Sequence, residues 1–252
     1  MLEPIDTTDA LTQLANRHGS DKGSTTLCAH RYTEIYGALL QEARSQPLRL
    51  LEIGLMHGHT QNVARGRYAD IGCPSLRMWA EYLPSATIFG FDVADFRALA
   101  GERTRIFQGD QGNRSDLKRL AEEAGGHFDV IIDDGSHASH HQQITLGILF
   151  RYLAPGGLYC IEDLHYQPQD MEVPGISTTR NFLRGLRFGH TGARVALEQP
   201  EIGQLVTQIQ SIHFFDSHSR RWPLNVREDA LAVIVKQGSH PGLSAALTGT
   251  AP

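Results

Sequence analysis

Two short segments, Asp133-Asp134-Gly135-Ser136-His137 and Ile161-Glu162-Asp163, place carboxylates and an imidazole at the ends of two strand-like runs. Asp134, Glu162 and Asp163 offer oxygen donors only, a set that suits Mg²⁺ or another hard divalent cation and leaves positions open for water or substrate oxygens. Crowding three carboxylates without a cation would be costly, because like charges a few ångströms apart raise one another's pKa. His137, three residues after Asp134, is placed to act as general base toward an alcohol. Imidazole titrates near neutrality, and an alcohol becomes a good nucleophile only when its proton is removed and its alkoxide stabilised. His165, two residues after Asp163, is the next candidate for that proton. A zinc site using His140 and His141 is a rival reading, weakened because the neighbouring groups are carboxylates rather than thiolates. Acids solvated separately at loop starts are the plainest alternative.

Positioning these groups takes a parallel sheet. Runs rich in Ile, Val, Leu and Phe at Arg49–Ile53, Thr87–Asp92, Arg105–Asp110, Phe128–Asp134 and Leu158–Leu164 alternate with helical patterns at Ser75–Tyr82, Ser115–Ala124 and His140–Leu153. The third helix is expected to stop at Pro155-Gly156-Gly157. Right-handed crossovers then align the strand C-termini along one edge. A last β-rich pair, Ile209–Phe215 and Ala230–Lys236, closes the sheet antiparallel. The expected fold is α/β, a Rossmann-like doubly wound seven-stranded sheet, mostly parallel, preceded by helices at Thr7–Arg17 and Thr33–Ala43 with Gly19-Ser20-Asp21-Lys22-Gly23 between them. One domain spans 1–252: a helical cap (1–47), a core (48–237) with a helical insertion (166–208) over the cleft, and a mobile tail rich in small residues (238–252).

Ligands of such sheets bind beyond the strand C-termini near the point where crossovers diverge. Glu52, Gly54, Asp92 and Asp110 fall there. Gly54 permits close backbone approach, and Asp92 at the end of the second strand suits a ribose diol. The pyrophosphate fingerprint is absent, because Gly54 is followed by Leu55-Met56-His57-Gly58-His59, and there is no Walker lysine. A phosphate-free nucleoside such as S-adenosylmethionine fits better than a dinucleotide or ATP.

The composition, 40% hydrophobic and 20% charged over 252 residues, is that of a globular chain, and a net charge of −5 gives no basic footprint for nucleic acid. The arginines at 180, 184, 187 and 194 read as a solvated helix face. No segment suggests a leader or membrane span, and Cys28, Cys73 and Cys160 lack redox or metal spacing, so a cytoplasmic protein with reduced thiols is expected.

Taken together, the segments Gly19–Gly23, His30-Arg31-Tyr32-Thr33, Leu51-Glu52-Ile53-Gly54, Ser75-Leu76-Arg77-Met78-Trp79, Ile88-Phe89-Gly90-Phe91-Asp92, Asp133–His137 and Ile161–Asp163 resemble class I S-adenosylmethionine-dependent methyltransferases. The resemblance narrows to the Mg²⁺-dependent sugar O-methyltransferases of macrolide and related natural-product pathways, and it covers most of the chain. It implies metal ligation by Asp134, Glu162 and Asp163, a general base at His137, and ribose contact at Asp92. It also places Asp110 and Gln111 near adenine, counts Asp133 and Tyr32 on the cofactor side, and makes Asp21, Lys22, His30 and Tyr32 a lid element. The chain departs from the family at Met56-His57-Gly58-His59-Thr60 and Arg65-Gly66-Arg67, where a more glycine-rich stretch is usual. The acceptor it implies is a small-molecule glycoside, and a homo-oligomer is expected. A catechol-like phenol acceptor, or a non-catalytic cofactor-binding protein of the same fold, are the competing functions.

Overall fold

Strands buried on both faces must be apolar nearly throughout, and the central runs of this chain are. The computed structural model describes residues 9–25, 29–55, 72–190, 192–219, 226–243 and 247. Strands β1 (Arg49–Ile53), β2 (Thr87–Asp92), β3 (Thr104–Gln108), β4 (Phe128–Asp133), β5 (Leu153–Ile161), β6 (Ile209–Phe215) and β7 (Leu231–Lys236) form one seven-stranded sheet ordered β3-β2-β1-β4-β5-β7-β6. The first five are mutually parallel, and β7 lies antiparallel between β5 and β6. This is the expected Rossmann-like arrangement, with the terminal pair added at the β5 edge.

Alternate side chains of each strand feed two cores. Leu50, Val130 and Ile132 pack on one face with α1 (Ala10–His18), α2 (Tyr32–Leu40) and α3 (Pro74–Tyr82). Leu51, Ile131 and Ile161 pack on the other with α4 (Arg114–Glu123), α5 (Ser139–Leu149), α6 (Thr179–Arg187) and α7 (Gln199–Gln208). Helix ends follow local chemistry. The Asp9 carboxylate accepts from the N–H groups of Leu11 and Thr12 to start α1, left-handed Gly19 ends it, and Glu198 with Glu201 forms a capping box on α7.

The fifth strand departs from the sequence expectation. It starts at Leu153, which pairs with Phe128, and Pro155-Gly156-Gly157 sits inside it, with the β4–β5 register shifting between Phe128 and Val130. Gly156 has φ +72°, and a Cβ there would stand 2.4 Å from the His240 nitrogen, so the residues read as a helix stop serve instead as a bulge under a crossing backbone. Because β5 ends at Ile161, Glu162 and Asp163 lie in the loop beyond it.

Within the insertion, α6 and α7 build onto the second core, while the loop ahead of α6 reaches the β4 edge. There Tyr166 packs edge-on to His137, and the Glu172 carboxylate accepts from the Ser139 N–H at 2.8 Å. At the other end of the chain, residues 238–243 of the expected tail lie against the domain. His240 Nε2 is 3.1 Å from Asp129 Oδ1, and Leu243 is buried. The rest of the tail apart from residue 247, the start of the first helix at Thr7, Cys28, and the stretch containing Met56–Thr60 and Arg65–Arg67 lie outside the described residues. Cys73 and Cys160 are buried free thiols. Among the described residues no helix is long and apolar enough to cross a membrane.

The crossover directions diverge at β1 and β4, and their ends are locked together. Gly54 N–H donates to the Phe91 carbonyl, and Asp134 N–H to the Ile53 carbonyl, both at 2.9 Å. Gly54 has φ +83°, and a Cβ on it would stand 2.1 Å from the Asp134 carbonyl oxygen. Gly54→Ala therefore combines left-handed strain with a backbone clash. It should lower unfolding free energy by at least about 1–3 kcal/mol; a urea midpoint equal to wild type would contradict this account of the β1–β4 junction.

Candidate metal and cofactor site

Two tight turns create the site. Beyond β4, Gln111 braces the loop from both sides: its Nε2 donates to Asp133 Oδ1 at 2.5 Å and its Oε1 accepts from Ser136 N–H at 3.0 Å. Ser136 Oγ pairs with His141 Nδ1 at 2.8 Å. Beyond β5, Glu162 N–H donates to the Asp133 carbonyl and Leu164 N–H to the Ala230 carbonyl. His137 and Asp163 both adopt left-handed backbone conformations, at φ +60° and +54°. Strain of this kind in non-glycine residues persists only where surroundings enforce it, and it concentrates at functional sites. Here it turns the side chains of Asp134, His137 and Asp163 together, with one ligand atom from each lying within 4.8 Å of the others.

Glu162 is not in that group. Its carboxylate is buried, with Oε1 accepting from the Tyr36 hydroxyl at 2.7 Å and Oε2 from Lys22 Nζ at 2.8 Å. The Lys22 ammonium, 1% exposed, also binds Asp134 Oδ2 and lies 3.4 Å from Glu52 Oε1. Burial opposes the charge on Lys22, but Asp134, Glu162, Glu52 and Asp21 outweigh it and hold the ammonium well above its ordinary pKa. Burial pushes the Asp134 and Glu162 carboxyls up, against the pull of Lys22.

Asp163 is held from its other side. The Tyr32 hydroxyl donates to its Oδ1 at 2.8 Å, and His30 Nδ1, itself 2.9 Å from Ser217 Oγ, lies 3.4 Å away. His165 Nδ1 lies 3.9 Å from the same oxygen. Burial works against its charge, yet the imidazoles of His30, His137 and His165 bring the Asp163 carboxyl below its usual range. His30, Asp163 and His165 make a second convergent group, sharing Asp163 with the first.

The residues expected to meet a cofactor divide. Gly54 and Asp92 stand at the β1 and β2 ends, where Asp92 accepts from the Leu55 and Ala94 N–H groups at 2.8 Å each. Asp110 is exposed in the loop after β3, and its Oδ1 accepts from Gly112 N–H. Gln111 and Asp133 are buried and bonded to each other, bracing the β4 turn. Glu52 and Tyr32 lie on the metal side, against Lys22 and Asp163. Sequence reasoning passed over Tyr36 and Ser217. The spacing of Tyr32 and Tyr36, one turn apart on a single helix face, was the available signal for the first; Ser217 carried none.

No family model matches the chain. It is 42% identical over 154 residues to the 8-demethyl-8-(2-methoxy-alpha-L-rhamnosyl)-tetracenomycin-C 3'-O-methyltransferase of Streptomyces olivaceus, covering 61% of this chain and 36% of that one. It is 34% identical over 188 residues to the L-olivosyl-oleandolide 3-O-methyltransferase of Streptomyces antibioticus, covering 71% and 45%. The matched part thus takes in less than half of either relative. Among solved structures, the MycE methyltransferase from the mycinamycin biosynthetic pathway, in complex with Mg, SAH and mycinamycin VI, superposes with a TM-score of 0.68 at 27% identity, over 98% of this chain and 57% of that one. The fold is that of the class I methyltransferases, and the sequence relatives are sugar O-methyltransferases by name.

Glu52 and Asp133 are pushed up to about 7 by burial, against Lys22 in the first case and the Gln111 hydrogen bond in the second. An acid with a raised folded pKa takes up a proton on folding. Its stabilising contribution is therefore complete below its unfolded pKa and is lost as pH rises through the folded one. In the metal-free protein, Asp133→Asn should flatten the fall in melting temperature between about pH 4 and about pH 7. Calorimetry showing the wild-type slope in the variant would exclude Asp133 as a contributor.

Proposed function

We propose that this chain carries the catalytic domain of an S-adenosylmethionine-dependent O-methyltransferase acting on a sugar hydroxyl of a glycosylated natural product, assisted by Mg²⁺ or a similar hard cation. The observation that carries the reading is the convergence of Asp134, His137 and Asp163 beside the β1–β4 divergence point. The donor chemistry fits: two half-buried carboxylates supply the oxygens a hard ion prefers, and a strained backbone holds them in place. Tyr32 and His30 both engage Asp163 at Oδ1 and orient its carboxylate. Glu162 is the third carboxylate of the proposed ligand set, and Lys22 and Tyr36 hold its oxygens beside Asp134. The cofactor side fits as well, since Asp92, at the end of β2 beside the β1–β4 divergence point, retains acceptor capacity for a ribose diol beyond the backbone N–H groups it holds.

When bound, the sulfonium of S-adenosylmethionine supplies the activated methyl group, and the divalent ion supplies positive charge beside the acceptor oxygen. The chain's own task is alignment and proton removal. His137 is the proposed base: the Tyr166 ring packs edge-on to its imidazole, and Nδ1 has no hydrogen-bond partner among the described residues. The similarity of the matched segment to enzymes that methylate rhamnosyl and olivosyl groups supports a deoxysugar hydroxyl as acceptor. A cytoplasmic homo-oligomer completes the reading.

Transfer of labelled methyl from S-adenosylmethionine to a panel of rhamnosylated and olivosylated aglycones, run beside catechols, tests this. Turnover should appear on glycosides, vanish in excess chelator and return with Mg²⁺. Methylation of catechols alone, or full activity in chelator, would overturn the assignment. His137→Ala should reduce kcat by about 10²- to 10⁴-fold while Mn²⁺ and S-adenosylmethionine affinities stay near wild type. Loss of Mn²⁺ binding in that variant would make His137 a metal ligand instead of the base.

A further inference from the structure

We infer that Lys22 is a resident counter-cation that competes with the divalent ion for Asp134 and Glu162, so that metal loading is a cation exchange in which the N-terminal segment takes part. The inference rests on the metal site proposed above. Lys22 Nζ binds two of its three carboxylates, Asp134 and Glu162, and approaches Glu52. An ammonium has three donors and no acceptor: two are taken by Asp134 and Glu162, and Glu52 stands 3.4 Å from Nζ. With the side chain 1% exposed, the charge is not shared with solvent.

The backbone that carries the ammonium is held as well. The Lys22 carbonyl accepts from both the N–H and the hydroxyl of Thr33 at 3.1 Å, and that hydroxyl is 2.6 Å from the Thr12 hydroxyl. His30 N–H donates to the Asp21 carbonyl at 2.9 Å. These bonds clamp the backbone of the 20–23 turn onto α1 and α2, so the Lys22 side chain starts from a fixed point beside the carboxylates. Glu52 supplies the alternative. Its carboxylate is wholly buried, with the Ser75 and Trp79 side chains beside it and Nζ at 3.4 Å. When an ion takes Asp134 and Glu162, Nζ can close the 3.4 Å gap to Glu52 and remain paired.

A resident positive charge beside the site weakens divalent binding, and removing it should tighten that binding while leaving the metal-free carboxylates uncompensated. Lys22→Met should bind Mn²⁺ at least about tenfold more tightly than wild type by isothermal titration calorimetry. Its metal-free melting temperature should drop, and its stabilisation by Mn²⁺ should exceed that of wild type. Lys22→Arg, which keeps the charge, should restore the weaker affinity. Should Lys22→Met not fold, the wild-type protein labelled with ¹⁵N-lysine still decides. The Lys22 Nζ resonance should shift saturably with Mg²⁺ as Nζ exchanges partners. Unchanged or weaker Mn²⁺ affinity in folded Lys22→Met, or an Nζ resonance indifferent to saturating Mg²⁺, overturns the exchange while leaving the metal site standing. If wild type binds no Mn²⁺, the site and the exchange fall together.

Discussion

One buried ammonium among three carboxylates ties the N-terminal helices to the sheet, and the geometry of the site depends on it. Lys22 reaches Asp134 and Glu162 across 112 and 140 residues of chain. Breaking a buried pair by removing one partner typically costs about 3–5 kcal/mol. The contact fixes the N-terminal turn onto the loops beyond β4 and β5, which strand pairing and the Glu162 N–H to Asp133 carbonyl bond bring side by side. Tyr32 and Tyr36 repeat the connection a turn apart, each hydroxyl closing on one carboxylate of the β5 loop. The cap and the sheet edge are thus a single polar assembly roofed by two aromatic rings.

That assembly explains why strain is tolerated where it occurs. His137 and Asp163 hold left-handed conformations that β-region alternatives would relieve, and each is fixed by bonds its neighbours make: Gln111 to Asp133 and Ser136 on one side, Tyr32 and His30 to Asp163 on the other. A carboxylate pair and an imidazole converge on one small volume, beside a glycine that lets the β1 and β4 ends close on each other. This division of labour, rigid strands supplying the frame and short strained turns supplying the chemistry, is what parallel α/β sheets offer at their C-terminal edge.

Much of this frame was legible in the sequence. The boundaries of β1, β2 and β6 follow directly from apolar runs, and the acids at strand ends marked the edge where Asp134, His137 and Asp163 converge. Pro155-Gly156-Gly157 misled because breakers and bulges use the same residues; the difference lies in a crossing backbone at His240, which local pattern does not encode. Adjacent Glu162 and Asp163 look alike as letters, yet one faces Tyr36 and Lys22 and the other Tyr32. Lys22 itself sits in Gly-Ser-Asp-Lys-Gly, which reads locally only as a turn between two helices. Its burial comes from partners more than a hundred residues away.

Anomalous diffraction at the manganese edge, from crystals grown with Mn²⁺ and S-adenosylhomocysteine, addresses the account most directly. The account predicts a peak in bonding reach of Asp134 and Asp163, with cofactor density running from Gly54 to Asp92 beside it. A strong peak elsewhere, or cofactor bound at the β1–β4 edge with no ion near those carboxylates, would contradict it.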